Sequence, residues 1–348
     1  MKALRPYDVT AITTSSVVEV TPAAYAGGTT YALGDQVSVF SGINSTVATM
    51  YESLQAGNTG HTPSSSPSWW QEIGTAYLAY NAGTAYSIDA IVTDTTNHLL
   101  YQSLANANTG NALTDTTKWL EIAPTNKWAP FDLKNGTQAT RPLEVSYTIT
   151  TSGRITTVAV LNIAASDLNV TVTDGVDEFY NEDISLLDSA GISDYWEWFF
   201  EPIVRRTEYQ VSDLPNILNP VITVTLTAAS GDVSLGNLVM GLPYDFGDSH
   251  YGAKVGNVDY SRVSTDDFGN TYVAAGSTAK RGSFTMMIDH WKSDQAFRVL
   301  DGFAGTPVLF IGADDYGSTI QFGLLKEWNI ELSYPSHHLI TIDTQALT

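Results

Sequence analysis

Residues 21–123 carry one pattern twice, and no other feature of this 348-residue chain limits its fold as strongly. The stretch 25–37, with Tyr25, Tyr31 and Val37, recurs as 80–92, with Tyr80, Tyr86 and Val92. Tyr51, Ser53 and Leu54 recur as Tyr101, Ser103 and Leu104, Asn58 and Gly60 as Asn108 and Gly110, and Trp70, Glu72 and Ile73 as Trp119, Glu121 and Ile122. Apolar residues alternate at Tyr31, Leu33 and Val37, while Gly, Asn and Pro interrupt the chain between such runs, so each copy reads as short strands around turns. A unit of roughly 50 residues buries a thin core. Without cysteine to staple it, aromatic side chains, which bury about 150–250 Å² each, must supply most of that core.

The order Tyr31, Gly34, Asp35, Val37, then Tyr51, Asn58, Gly60, Pro63, and a closing Trp70 with Ile73 resembles the small chitin- and cellulose-binding modules appended to bacterial chitinases. Copy two departs from that order, with Asp89 and Ala90 at the Gly-Asp position and Ala112-Leu113 in place of His61-Thr62-Pro63. The resemblance implies stacking of a sugar ring, whose C–H face an indole or phenol can cover while rim polar groups hold the hydroxyls. Trp69 and Trp70 are neighbours in a strand-like segment and point to opposite faces. Alignment with Trp119 makes Trp70 the core member, which leaves Trp69 as the platform beside Tyr51 or Tyr25. The candidate carbohydrate-binding residues are therefore Trp69, Tyr51, Tyr25 and Trp70.

The chain carries 43% hydrophobic and only 15% charged residues, enough apolar mass for two or three cores. Its formal charge of −21 repels phosphate backbones, and its basic residues form no stripe, so nucleic acid is not an expected partner. Residues 128–248 hold five Lys/Arg against seventeen Asp/Glu, which marks the centre as a compositional unit. No apolar run reaches the ~18 residues of a membrane span, and residues 1–10 lack the apolar stretch of a secretory signal. Neither a membrane span nor classical export is expected.

After copy two, residues 124–142 mix turn formers with aromatics and read as a packed linker. Alternating or continuous apolar runs predict strands at 143–149, 156–163, 170–172, 221–226 and 233–239, then at 284–288, 307–311, 320–325 and 328–332. Residues 195–200, followed by Pro202, read as one more strand. One helix is predicted over 293–300, with Ser293 as N-cap and a stop at Gly302. The expected architecture is all-β: an N-terminal arm (1–20), carbohydrate-binding-like modules at 21–76 and 77–123, a linker (124–142), an acidic β-sandwich-like domain (143–248) and a second one (249–348). Leu4 to Pro6 with Val17 to Val20 looks like an extended arm able to add a strand to a neighbour.

The order of these pieces also resembles a group of uncharacterised tailed-bacteriophage virion proteins. The matching stretches are Leu4 to Pro6 with Ser15 to Glu19, the junction 124–132, and Tyr251-Gly252, Asp259 to Ser261 and Asp267 to Gly269. The resemblance implies a tail or baseplate subunit assembled in the host cytoplasm. Its partners would be a host cell-surface glycan, other tail proteins and further copies of itself in a homo-oligomer. A free secreted polysaccharide-binding protein and a glycan-degrading enzyme with appended modules are the alternatives.

The acidic cluster Asp174, Asp177, Glu178, Glu182 and Asp183 lacks the glycine-spaced loop of a calcium site and reads as a solvated loop. His337 and His338 are adjacent in a strand-like run and face opposite ways, a poor arrangement for one metal. No Gly-x-Ser-x-Gly elbow, phosphate-binding glycine loop or His-Glu-x-x-His segment occurs. No cofactor and no enzymatic activity are expected.

Overall fold

The computed structural model describes residues 1–42, 45–188, 194–200, 204–313 and 316–347, and strands dominate it. The all-β class follows. The apolar run around residue 160 forms the strand Thr157–Ala164, and its alternation explains why both faces are apolar. Val158, Val160 and Ile163 enter one core with Tyr147, Val170 and Leu226. Ala159 and Leu161 enter a second core with Val239, Leu309, Ile311 and Phe322. A strand covered on both sides reads as a continuous apolar run. The register with Val221–Gly241 is unchanged across Asn162, but its φ of 53° interrupts the alternation, and Ile163 enters the same core as Val160. Gly236 lies opposite, where a Cβ would meet the Asn162 Cβ at 2.6 Å, and only glycine fits there.

The expected strands at 221–226 and 233–239 are one strand, Val221–Gly241. Its first half is hydrogen-bonded between residues 144–150 and 167–173, its second between 139–142 and 157–164. Both halves feed the first core. A register shift between Pro142 and Glu144 takes up the polar stretch that resembles a turn in sequence. The pairing strand begins at Ala139, so residues 139–142 belong to the sheet rather than to a linker.

The C-terminal region departs from the expected sandwich. It is a single seven-stranded sheet in the order Tyr244–Asp245, Lys2–Leu4, Val308–Ile311, Ile320–Glu331, His337–Ala346, Thr278–Asp289 and Lys254–Asp259. One face is covered by the helix Ser293–Asp301 through Ala296 and Leu300, which pack with Phe284, Met286 and Ile340. The other face lies on the body through the second core. Val308–Ile311 is buried at every residue because Val308 and Phe310 face the helix side while Leu309 and Ile311 face the body. Ser293 is the first helical residue rather than the cap, and its hydroxyl lies 2.6 Å from His338 Nδ1.

Residues 1–20 are not a free arm. Lys2–Leu4 sits between Tyr244–Asp245 and Val308–Ile311, and Thr14–Ser15 pairs with Tyr147 and Thr148. The strand-adding capacity read in the sequence is thus spent within the chain. Residues 244–245, assigned to the central domain, likewise pair in the C-terminal sheet.

Tyr195–Phe200 is a helix rather than a strand. The Asp194 carboxylate accepts the N–H groups of Trp196 (2.8 Å) and Glu197 (2.9 Å), and Glu197 reaches back to the Asp194 N–H at 3.3 Å. This reciprocal cap overrides the strand preference of the aromatics. Pro202 lies outside the described residues.

Leu4 is fully buried in the second core between the body and the C-terminal sheet. Leu4→Ala is expected to destabilise the chain by about 2–5 kcal/mol, measured by urea unfolding. A cost below about 1 kcal/mol, the level of an ordinary surface change, would show that the N-terminal strand is dispensable.

Candidate functional site

The two copies form matching three-stranded sheets, Gln36–Phe40, Val47–Ser53 and Trp70–Tyr77 in the first and Ile91–Asp94, Leu99–Ser103 and Trp119–Pro124 in the second. Each is built on three aromatics. Tyr25 stacks on Tyr31 at 5.8 Å and 24°, and Trp70 meets Tyr25 and Tyr31 edge-on at 5.9 and 5.1 Å. In the second copy Tyr80 stacks on Tyr86 at 6.0 Å and 24°, and Trp119 meets them at 5.6 and 5.4 Å. The polar scaffold repeats too. Asn58 Nδ2 and Asn108 Nδ2 donate to Ser53 Oγ and Ser103 Oγ, both at 3.0 Å. Trp70 Nε1 donates to the His61 carbonyl (2.7 Å) and Trp119 Nε1 to the Asn111 carbonyl (3.1 Å).

The departure at Asp89 leaves the backbone intact. Gly34 has φ of 84° and Asp89 φ of 66°, so both occupy the left-handed turn that Gly adopts freely and Asp tolerates.

Of the four candidate residues, two are core. Trp70 and Tyr51 are buried together with Tyr31 and Val37, so neither presents a ring face to a ligand. Tyr51 stands opposite Glu72 in the sheet, and burial first, then the Glu72 charge and hydrogen bond, hold its phenol above the ordinary tyrosine range. Trp69 and Tyr25 are half-buried against that core and keep part of their rings accessible. Trp69 does not stand alone, because the His61 imidazole stacks on it at 4.0 Å and 11°. Sequence reasoning used His61 only as part of a motif. The signal was present, however, since Asn111 and Lys118 stand at the equivalent positions of copy two and cannot form this pair. Asn58 and Asn108 donate to the carbonyls of Trp69 (3.3 Å) and Lys118 (3.1 Å), which fixes that equivalence.

The excursion that carries both copies leaves and re-enters the body at one place. Glu19 Oε1 lies 2.7 Å from His98 Nδ1 and 3.4 Å from Thr125 Oγ1, and the His98 ring stacks on Trp128 at 3.8 Å and 16°. Copy one is also tied to the body by Arg141, buried, with its Nη2 2.8 Å from Glu52 Oε2. Between the copies and the body lies a cleft of about 620 Å³ whose lining includes Glu19, Glu72 and Asp232 and no Lys or Arg.

Among the described residues no group of three or more His, Asp or Glu side chains converges as metal ligands, and no helix is long and apolar enough to cross a membrane. The His337 ring stacks on Tyr334 at 4.5 Å while His338 bonds Ser293, so the two histidines serve different contacts. The chain matches no family model, no curated protein and no solved structure.

Trp70→Ala and Trp119→Ala are each expected to cost about 3–5 kcal/mol in denaturant unfolding of their own unit. Trp69→Ala, which removes a half-buried ring outside the triad, should cost clearly less than either. Equal costs for Trp69 and Trp70 would assign Trp69 to the core and remove it from any binding face.

Proposed function

We propose that this chain is a structural subunit of a tailed-bacteriophage tail or baseplate whose first repeat unit is a carbohydrate-binding module contacting a host-surface saccharide through Trp69. The observation that carries the reading is the extra aromatic pair. Both copies are built on the Tyr-Tyr-Trp triad, but only copy one adds Trp69 stacked on His61, an indole that is half-buried against the same core as Tyr25 and keeps part of its surface accessible. A ring backed by a second ring is held flat, and a flat aromatic surface suits the C–H face of a sugar. The resemblance of copy one to chitinase-type modules points the same way. Copy two, with Lys118 and Asn111 there, contributes little binding of its own. A shallow site that stacks one or two rings binds weakly, and repetition of the subunit in a particle turns weak contacts into avidity.

The geometry of the excursion also suits this role. Because Glu19 and Thr125 touch, the body can be held in an assembly while residues 21–123 project from it. We read the protein as a binder rather than an enzyme.

In a glycan array or calorimetric titration with host-surface polysaccharide, Trp69→Ala should abolish detectable binding while leaving the unfolding transition of copy one in place. Unchanged binding would remove Trp69 from the site. Replacing residues 21–123 by a short Gly-Ser linker should give a chain that still enters particles but adsorbs poorly to cells. Its absence from otherwise complete particles would place the attachment surface in the repeats. Incubation with lipopolysaccharide and capsule should release no reducing ends, and steady release lost on changing one carboxylate would make the protein an enzyme.

A further inference from the structure

The hairpin Arg262–Thr265 with Thr271–Ala274 is exposed at all its residues, and none of them belongs to a core cluster among the described residues. A two-stranded ribbon with both faces in water is marginal by itself. Its apolar side chains are nonetheless large: Val263 and Val273 pair across one face and Tyr272 lies on the other.

The tip is built rather than loose. The Asp266 carboxylate accepts the N–H groups of Phe268 (2.9 Å) and Asn270 (2.8 Å) and the Asn270 side-chain amide (2.8 Å), and Gly269 turns the chain at φ of 84°. These bonds, led by the Asn270 side chain, hold the Asp266 carboxyl below the usual carboxylate range. Asp266 is thereby spent on the turn, and the tip presents its neighbours, the Asp267 carboxylate and the Phe268 ring, which is 91% exposed. Such a preorganised tip loses little entropy on docking.

Elsewhere on the same chain a groove of about 500 Å³ has the complementary chemistry. Arg205 and Arg206 are exposed along it, Tyr209 and Tyr316 supply aromatic walls, and the Arg206 guanidinium lies 5.7 Å from the Tyr209 ring centre. Neither arginine is in an ion pair among the described residues, whereas Glu208, a carboxylate of the groove, is paired with Lys280. The groove therefore offers positive charge and ring faces, and the tip offers negative charge and a ring.

We propose that the Asp267-Phe268 tip of one chain docks into the Arg205-Arg206 groove of a second copy. The ring enters between Tyr209 and Tyr316, and the carboxylate meets the guanidinium pair. Tip and groove are different patches of one chain, so the contact is head-to-tail and propagates until a ring closes or a filament grows. The apolar face of Val263 and Val273 adds area to an otherwise small contact. This deepens the reading of the chain as a repeated tail subunit, but its test needs neither particles nor glycan.

Sedimentation velocity of the full chain across a concentration series should show reversible association. Phe268→Ala, Asp267→Arg and the pair Arg205→Asp with Arg206→Asp should each raise the dissociation constant at least about tenfold. Combining Asp267→Arg with the two arginine reversals should restore most of the lost affinity. All these positions are exposed, and an unchanged melting temperature checks that each variant folds. A wild-type chain that stays monomeric throughout, single variants that associate as tightly as wild type, or a charge swap no tighter than its parents would each overturn the proposal. Trp69 lies outside tip and groove, so failure here leaves the saccharide reading untouched, and loss of sugar binding in Trp69→Ala leaves association intact.

Discussion

The burial of two strands on both of their faces is the constraint from which the rest of the architecture follows. Thr157–Ala164 and Val308–Ile311 each send alternate residues into different cores, and the core they share, with Leu4, Val239 and Phe322, welds the body to the C-terminal sheet. Neither sheet can be lifted off without exposing the apolar face of one of these strands to water. Lys2–Leu4 completes the same arrangement, with Ala3 on the helix side and Leu4 on the body side. The first residues of the chain are thus locked into its last unit, and everything between residues 19 and 125 becomes an excursion from a closed body.

That closure changes what the repeats can do. A string of domains would transmit no fixed orientation from one end to the other. Here the excursion is clamped where it starts and ends, by Glu19, His98 and Thr125, and again along copy one by the buried Arg141 on Glu52. Removing one member of such a buried pair strands its partner, which is costly. The modules are therefore held at a set place on the body, and each copy keeps its own aromatic triad as an independent core.

Much of this was legible in the residues. The repeat announced two equivalent units, and equivalent triads with near-equal ring distances are present in both. Continuous apolar runs announced buried strands, though not that their two faces serve different cores, because periodicity carries no information on what covers a face. The pairing of the N-terminal segment is not legible locally, because the partner of Lys2–Leu4 lies some three hundred residues away and local pattern is silent on pairing at that separation. The helix at Tyr195–Phe200 was missed for a different reason. Composition there favours a strand, and the deciding Asp194–Glu197 cap is a local signal that outweighs it. At the candidate site, strand alternation alone separates Trp69 from Trp70, whereas the burial of Tyr51 with Tyr31, Val37 and Trp70 and the stacking of His61 on Trp69 depend on tertiary packing that local pattern does not encode.

The distribution of exposed aromatic side chains then separates folding from interaction. Inside the repeats, aromatics fill cores at a density that a disulfide-free unit of this size requires. Outside them, Tyr195, Trp196, Trp198, Phe199 and Phe200 are each more than 60% exposed, as are Phe268 and Tyr316. Five of these rings lie within one short helix, Tyr195–Phe200, where exposed aromatics are unusually dense. These residues do not contribute to the three large cores, and the body reaches closure without them. A body that closes without these side chains does not draw its stability from them, and their exposure is a feature separate from folding. Trp69 is a smaller instance of the same separation: it packs against the edge of the first repeat's core, outside the Tyr25, Tyr31 and Trp70 triad, and keeps part of its ring accessible.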